Sequence, residues 1–210
     1  MFPSIAKSRI FARLGGLIVC LLSLIVLCPH FAHAATSLNR EECFSVMYPP
    51  SAAFFGSLGA VSAVVFASMG SSYGATKAGV GVTYLGIKSP EKIMRGIVPV
   101  IMAGILGIYG LIIAVIINNN IRTEPNSYSS YTGFLHLGAG LTTGLSSLGA
   151  GFAIGVVGDT AARAYGKQEN IFVAMVLMLI FSEALGLYGL IIALLMSNRA
   201  SRYTDLCASA

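Results

Sequence analysis

One carboxylic acid stands apart in this sequence. Glu183 lies within IFSEALGLYGLIIALL, Ile180 to Leu195, and no other acidic residue sits so deep in an apolar run. The run extends from Ile171 to Met196, and at 1.5 Å per residue it makes a helix of roughly 39 Å, enough to cross a bilayer core of ~30 Å with tilt. Glu183 then falls near the midplane, where a charged side chain costs about 2.5–3.5 kcal/mol on insertion scales. Such a group is neutral, paired or there for a function, and carrying an ion by gaining and losing a proton is the chemistry it offers. The alternative is an acid that stays protonated and hydrogen-bonded to a neighbouring helix.

The remaining polar candidates carry less. Asp159 and Arg163, spaced i,i+4, read as a local ion pair rather than a relay. Tyr188 lies five residues past Glu183, about 140° around the helix, so a bond between the two within that helix is not expected; one between helices stays open. That Tyr188 has a repeat partner, Tyr109, makes packing its default role. His136 reads as an interfacial or packed histidine, and Asn118 to Asn120 as the polar end of a helix. Cys20, Cys28, Cys43 and Cys207 lack CxxC or Cys/His ligand spacing, so neither a metal site nor a disulfide framework is expected. No cofactor motif is present, and without a GxxxxGK[ST] loop the chain has no nucleotide-hydrolysing site of its own.

The elements that must position Glu183 follow from composition. With 56% hydrophobic residues, 10% charged residues and 24 glycines in 210 positions, the chain belongs to the membrane class. The formal charge of +5 does not imply nucleic acid, because basic residues stand singly at segment ends. Residues 1–34 read as a cleaved signal peptide: Lys7, Arg9 and Arg13, an apolar core from Leu14 to Leu27, and Ala32-His33-Ala34 as the cleavage pattern. The competing reading is a retained extra helix. Residues 35–51 form a lumenal amino-terminal segment.

Four hydrophobic stretches follow, about 52–80, 93–117, 132–160 and 171–196. Lys77, Lys88, Lys92, Arg95, Arg163 and Lys167 cluster on the side of the two tight connections, against Arg40, Arg122, Arg199 and Arg202 on the other. This weak positive-inside bias agrees with the leader and places both termini, including the tail 198–210, in the lumen. Cys43 and Cys207 then share an oxidising side, as two free thiols or as a pair.

A shift of 79 residues superposes the two halves without a gap. Phe55 falls on Phe134, Gly70 on Gly149, Lys88 on Lys167, and IYGLIIA (Ile108 to Ala114) on LYGLIIA (Leu187 to Ala193). The fold expected is an all-α membrane protein, a four-helix transmembrane bundle of two tandem parallel hairpins (52–120 and 132–197), a unit that can propagate into a ring. Glu183 falls on Gly104, so the second hairpin alone keeps an acid. Small residues recur along one face of the first helix (Gly56, Ala60, Ala63, Ala67, Gly70, Gly74, Ala78) and of the third (Gly140, Gly144, Ser147, Gly151, Gly155, Gly158). Such faces let backbones approach closely. They predict an inner layer of tightly packed helices, with the bulkier second and fourth helices outside against lipid, and Gly56, Gly70, Gly74, Gly140, Gly144, Gly151 and Gly155 are expected to serve ring packing.

Across roughly residues 47–203 the chain resembles the proteolipid c subunits of vacuolar-type proton-translocating ATPases. The motifs include YPPSAAFFGSLG, YGATKAGVGV, IVPVIMAGILGIYGLIIAV, YTGFLHLGAGL, GAGFAIGVVGD and IFVAMVLMLIFSEALGLYGLIIALLMSNRA. The resemblance implies a ring of c-type subunits with Glu183 as the proton-carrying carboxylate. It also implies a static a subunit whose channel arginine meets that carboxylate, and a central-stalk d subunit. Location in a vacuole or other acidic endomembrane organelle is implied as well. The related c-double-prime subunits carry their acid in the earlier hairpin; Gly104 departs from that pattern.

The residues support proton carriage independently. Apolar surroundings favour the neutral acid, which can face lipid. Nothing basic in this chain lies at its depth, so a cation that holds the ionised form must come from another subunit. A sodium carrier needs several oxygen ligands, and Ser182 is the sole adjacent side-chain oxygen in the fourth helix, so protons are preferred. A purely structural or pore-forming proteolipid is the other reading, and it would make Glu183 dispensable.

Overall fold

The computed structural model describes residues 48–49, 51–122 and 128–202. The expected leader, the segment 35–47 and all four cysteines lie outside the described residues. Among the described residues there are four long helices: α1 (Ala52–Lys88), α2 (Val98–Asn120), α3 (Ser130–Tyr165) and α4 (Ile171–Arg202). A 3-10 turn, Pro90–Lys92, and a single α-helical turn, Ile93–Gly96, lead into α2. No strand occurs among the described residues. Each of the four spans is long and apolar enough to cross a membrane, and a helix meets that solvent's demand that every backbone N–H and C=O be bonded within its own segment.

Several side-chain hydroxyls meet the same demand, although the buried Ser147 hydroxyl has no partner. Ser62 donates to the Gly59 carbonyl at 2.9 Å, Thr142 to Gly138 at 2.7 Å and Thr143 to Ala139 at 3.2 Å, so these polar groups enter the bundle already satisfied. Ser129 caps α3, its Oγ accepting from the Thr132 N–H at 3.2 Å.

Two helices outrun their apolar stretches. α1 continues to Lys88 and α3 to Tyr165, because Val82 and Leu85 on α1 and Ala161, Ala162 and Tyr165 on α3 are still buried there and keep the ends packed. α2 begins later than its apolar stretch. Pro99, in its first turn, has no N–H to give to the preceding turn, so the regular helix starts at Val98.

The glycine faces meet each other. A methyl group on Gly70 would stand 2.6 Å from the Ser147 carbonyl oxygen, and one on Gly74 would stand 2.8 Å from that of Gly151. Methyls on Gly140 and Gly151 would collide with the backbone at Gly59 and Gly70 respectively. Paired residues thus differ by about 80 along the whole length, so α1 and α3 run parallel in the register of the repeat. Within each hairpin the helices run antiparallel: Gly110 of α2 lies against Ala63 and Ala67 of α1, and Gly189 of α4 against Thr142 and Ser146 of α3.

The two core clusters are built between these pairs. One joins Leu106 of α2, Ile154 of α3, and Met175 and Leu179 of α4; the other joins Ala63 of α1, Ile113 and Ile117 of α2, and Ala193 of α4. α2 and α4 leave Ile101, Ile108, Leu111, Val173, Leu177 and Phe181 exposed. In the single chain, Val61, Val65 and Met69 of α1 are exposed as well.

Candidate ion-carrying site

Glu183 is partly buried on α4. Leu179, four residues before it, is fully buried, and Gly186, three residues after it, lies against Leu106 of α2 and Ala150 of α3. These neighbours in helical spacing place Glu183 on the edge of α4 that faces α2. On the other side of the same turns, Phe181, Leu185 and Tyr188 are exposed. The carboxyl group therefore stands at a boundary between an apolar core and the outer surface.

Among the described residues, one polar partner reaches it. The Tyr109 hydroxyl of α2 donates to Glu183 Oε1 at 3.1 Å. The sequence reading gave Tyr109 no role at Glu183; the structure packs its ring against the core and points its hydroxyl at the acid. Sequence position missed it because the contact depends on the register of α4 against α2, which neither helix encodes in its own period. Its one trace was the repeat: Tyr109 lies five residues past Gly104, the position onto which Glu183 falls. A phenol in this place suits both states of the acid, since the C=O of a neutral carboxyl and an ionised oxygen both accept from it, and the ionised form accepts more strongly.

Tyr188 takes no such role within the chain. It is 62% exposed, in keeping with the angle that separates it from Glu183. Ser182 donates its hydroxyl to the Met178 carbonyl at 3.0 Å, so its proton is committed to its own helix. Gly104 is exposed, and a Cβ built there meets nothing within 4 Å.

The other candidates fall elsewhere. Asp159 accepts from Arg163 Nε at 2.8 Å and lies 4.0 Å from Lys77 Nζ, a local cluster at the end of the bundle where the tight connections lie. His136 is fully buried, and its Nδ1 lies 2.7 Å from the Tyr128 hydroxyl. Burial pushes the Tyr128 phenol up to about 12. His136 is thus packed, as the sequence suggested. Asn120 donates to Ser197 Oγ at 3.4 Å, tying the end of α2 to α4. Among the described residues no group of three or more His, Cys, Asp or Glu side chains is placed to hold a metal. The seven glycines expected at the ring contact all touch other parts of the same chain: Gly56 makes room for the Tyr128 ring, Gly144 lies against Phe66 and Ser62, and Gly155 lies against Gly74 and Lys77.

Comparison with known proteins adds two findings. The model of the ATP synthase C-subunit family matches twice, over residues 58–117 and 137–196. The two matches are displaced by the same 79 residues as the internal repeat. The chain is also 50% identical over 157 residues to the V-type proton ATPase 16 kDa proteolipid c subunit of Nephrops norvegicus, covering 75% of this chain and 96% of that protein. It is 53% identical over 158 residues to the V-type proton ATPase 16 kDa proteolipid subunit of Chrysotila carterae, covering 74% and 96%. To the human 16 kDa proteolipid c subunit it is 50% identical over 151 residues, covering 72% and 96%.

Proposed function

The chain belongs to the ATP synthase C-subunit family, and from that premise we propose that it is the proton-translocating rotor subunit of a V-type proton ATPase. It is a multi-pass integral membrane protein that works in a ring of c-type subunits and has no catalytic site of its own. Glu183 carries the proton. Protonated, the carboxyl is neutral and tolerates the lipid-facing edge of α4; ionised, it needs a cation, and the channel arginine of a static a subunit supplies one as the ring steps past. An arginine keeps its charge under any working condition, so it can hold the carboxylate without competing for the proton. Rotation is driven through a central stalk that includes a d subunit, and the protons accumulate in a vacuole or similar acidic organelle, on the side where both termini lie.

The observation that carries this reading is the position of Glu183, half-sheltered at the α2–α4 boundary with one hydroxyl donor, Tyr109, and exposed apolar neighbours. A site with one neighbouring hydroxyl suits a proton better than a sodium ion, which draws on several oxygens.

The test is Glu183→Gln in membranes where assembly is verified by native gel. The amide keeps the shape and neutrality of the protonated acid and cannot release a proton. Acidification of vesicles should vanish while assembly persists, and Glu183→Asp should keep part of the activity. Normal acidification by the Gln variant would favour a structural or pore-forming proteolipid instead.

A further inference from the structure

We propose that His136 and Tyr128 form an acid-released latch: the neutral imidazole holds the α2–α3 connection against α1 and α3, and a proton taken up from the lumen frees it. The proposal rests on the lumenal placement of this end of the bundle given above. It adds a second protonation site, regulatory in role and separate from Glu183.

The latch is built from one inserted side chain. Tyr128 belongs to the connection between the two hairpins, yet it is only 7% exposed. Its hydroxyl fills the notch over Gly56 of α1, where a Cβ would collide with it, and its ring edge lies 3.5 Å from the Cβ position of Gly133 on α3. The same hydroxyl meets His136 Nδ1 at 2.7 Å. A single phenol thus bridges α1, α3 and the connection, and the bond to His136 decides whether it stays in place.

The other nitrogen of the imidazole makes that bond sensitive to pH. Around it the polar groups at this end are satisfied: Ser129 Oγ and Thr132 Oγ1 lie 2.9 Å apart, Thr132 donates to the Ala200 carbonyl at 3.4 Å, and Asn120 donates to Ser197. His136 is fully buried, and its Nε2 has no partner. Among the described residues only the Ser147 hydroxyl shares that condition, and it does not titrate. A neutral imidazole tolerates the arrangement, because its proton can sit on Nδ1 and leave Nε2 a bare acceptor. An imidazolium does not: both nitrogens then carry N–H, and the second donor, now charged, points where nothing accepts it.

No anion offsets such a charge. The half of α1 that packs at this end, residues 52–66, holds no titratable side chain. α2 ends near Arg122 and α4 near Arg199 and Arg202, all cations, while Tyr131 on α3 and Tyr48 before α1 are phenols. The nearest acid among the described residues, Glu183, lies beyond Ala150 of α3, which itself stands about 21 Å along the helix from His136. The closed latch therefore takes one ring proton and the open latch two. Below the ordinary imidazole value of about 6.5, each unit of pH then favours opening by up to tenfold. An acidifying compartment passes through that window, so the subunit senses the gradient that it helps to build.

Hydrogen–deuterium exchange of the segment 128–136 tests the latch, in the assembled complex in sealed vesicles whose lumenal and outer pH are clamped separately. Clamping both sides makes the result independent of proton transport by Glu183. Wild type and His136→Asn are compared at each pH, which cancels the intrinsic pH dependence of exchange; asparagine keeps a hydrogen-bonding group near the Nδ1 position and does not titrate. The exchange rate of the wild type relative to the variant should rise up to about tenfold between lumenal pH 7.5 and 5.5, and outer pH should leave it unchanged. His136→Gln takes the place of the Asn variant if the latter fails to assemble. Tyr128→Phe, which keeps the ring and loses the bond, should exchange faster than the wild type already at pH 7.5. Parallel pH curves for the wild type and the non-titrating variant, or a Phe variant as protected as the wild type, would overturn the latch. A response that followed outer pH would leave the latch and overturn the lumenal placement.

Discussion

The two hairpins are built alike and equipped differently. Both pair a small-residue helix with a bulky one, both bear a tyrosine at the same place, Tyr109 and Tyr188, and both carry a repeat-matched lysine, Lys88 or Lys167, where the first helix passes into a short connection. At the position that the repeat shares, the second has Glu183 and the first Gly104. The first hairpin nevertheless contributes to the site through Tyr109, whereas Tyr188 points outward. Duplication has therefore divided labour: one hairpin holds the acid and the other holds its hydrogen-bond donor.

The largest expected effect separates glycines that close the chain from glycines left open. Gly151→Leu drives a branched side chain into the Gly70 backbone of α1. Rigid helix backbone cannot yield as a flexible side chain does, so overpacking of typically 1–3 kcal/mol is a lower bound here. The variant should fail to give a folded, assembled protein on a native gel. Gly149→Leu, two residues away with open space around it, should insert and fold as a protomer, as judged by protease resistance, yet not form rings. Equal behaviour of the two would erase the distinction between inner and outer faces.

Much of this division was legible in the sequence. The 79-residue shift and the glycine spacing implied parallel hairpins with a small-residue inner layer, and the apolar run around Glu183 marked the acid. Helix limits were less legible. The apolar stretches fade near Lys77 and Arg163, but Leu85 and Tyr165 beyond them remain buried and hold the helices together. Tyr109 was legible only as half of a repeated pair, because a contact between α2 and α4 depends on how both pack against α1 and α3, a tertiary quantity absent from any one helix's periodicity. The partners of the glycine faces were similarly hidden: spacing reveals that a face is smooth, not which helix lies on it.

The tyrosines give a smaller effect that sharpens the same contrast. Tyr109→Phe removes one hydrogen bond to the carboxyl, a contribution of about 0.5–1.5 kcal/mol for a neutral pair and more when the acceptor is charged. Proton transport should slow several-fold with assembly unchanged, and Glu183 should remain required. Tyr188→Phe should leave the rate within about twofold of the wild type, since no carboxyl faces it in either hairpin. Equal losses in a vesicle acidification assay would show that the Tyr109 bond is not what distinguishes the two positions.

The smallest effect lies where the hairpin connections touch. Lys92, from the lead-in to α2, reaches Glu169, from the α3–α4 connection, at 2.9 Å. The hydrogen bond and charge of Lys92 hold the Glu169 carboxyl below its ordinary range, with Arg95 adding in the same direction. A carboxyl lowered in the folded state stabilises fully above its unfolded value, and that contribution fades as pH falls through the folded one. Glu169→Gln should therefore lower the thermal midpoint slightly at neutral pH, and the two curves should converge as pH falls through and below the ordinary carboxylate range. Glu169 is fully exposed, so solvent screening keeps the difference small and added salt should shrink it further. A gap between the curves that persisted at acid pH and high salt would mean that Glu169 supports the connection through packing, and that the two hairpins are joined there by shape rather than by charge.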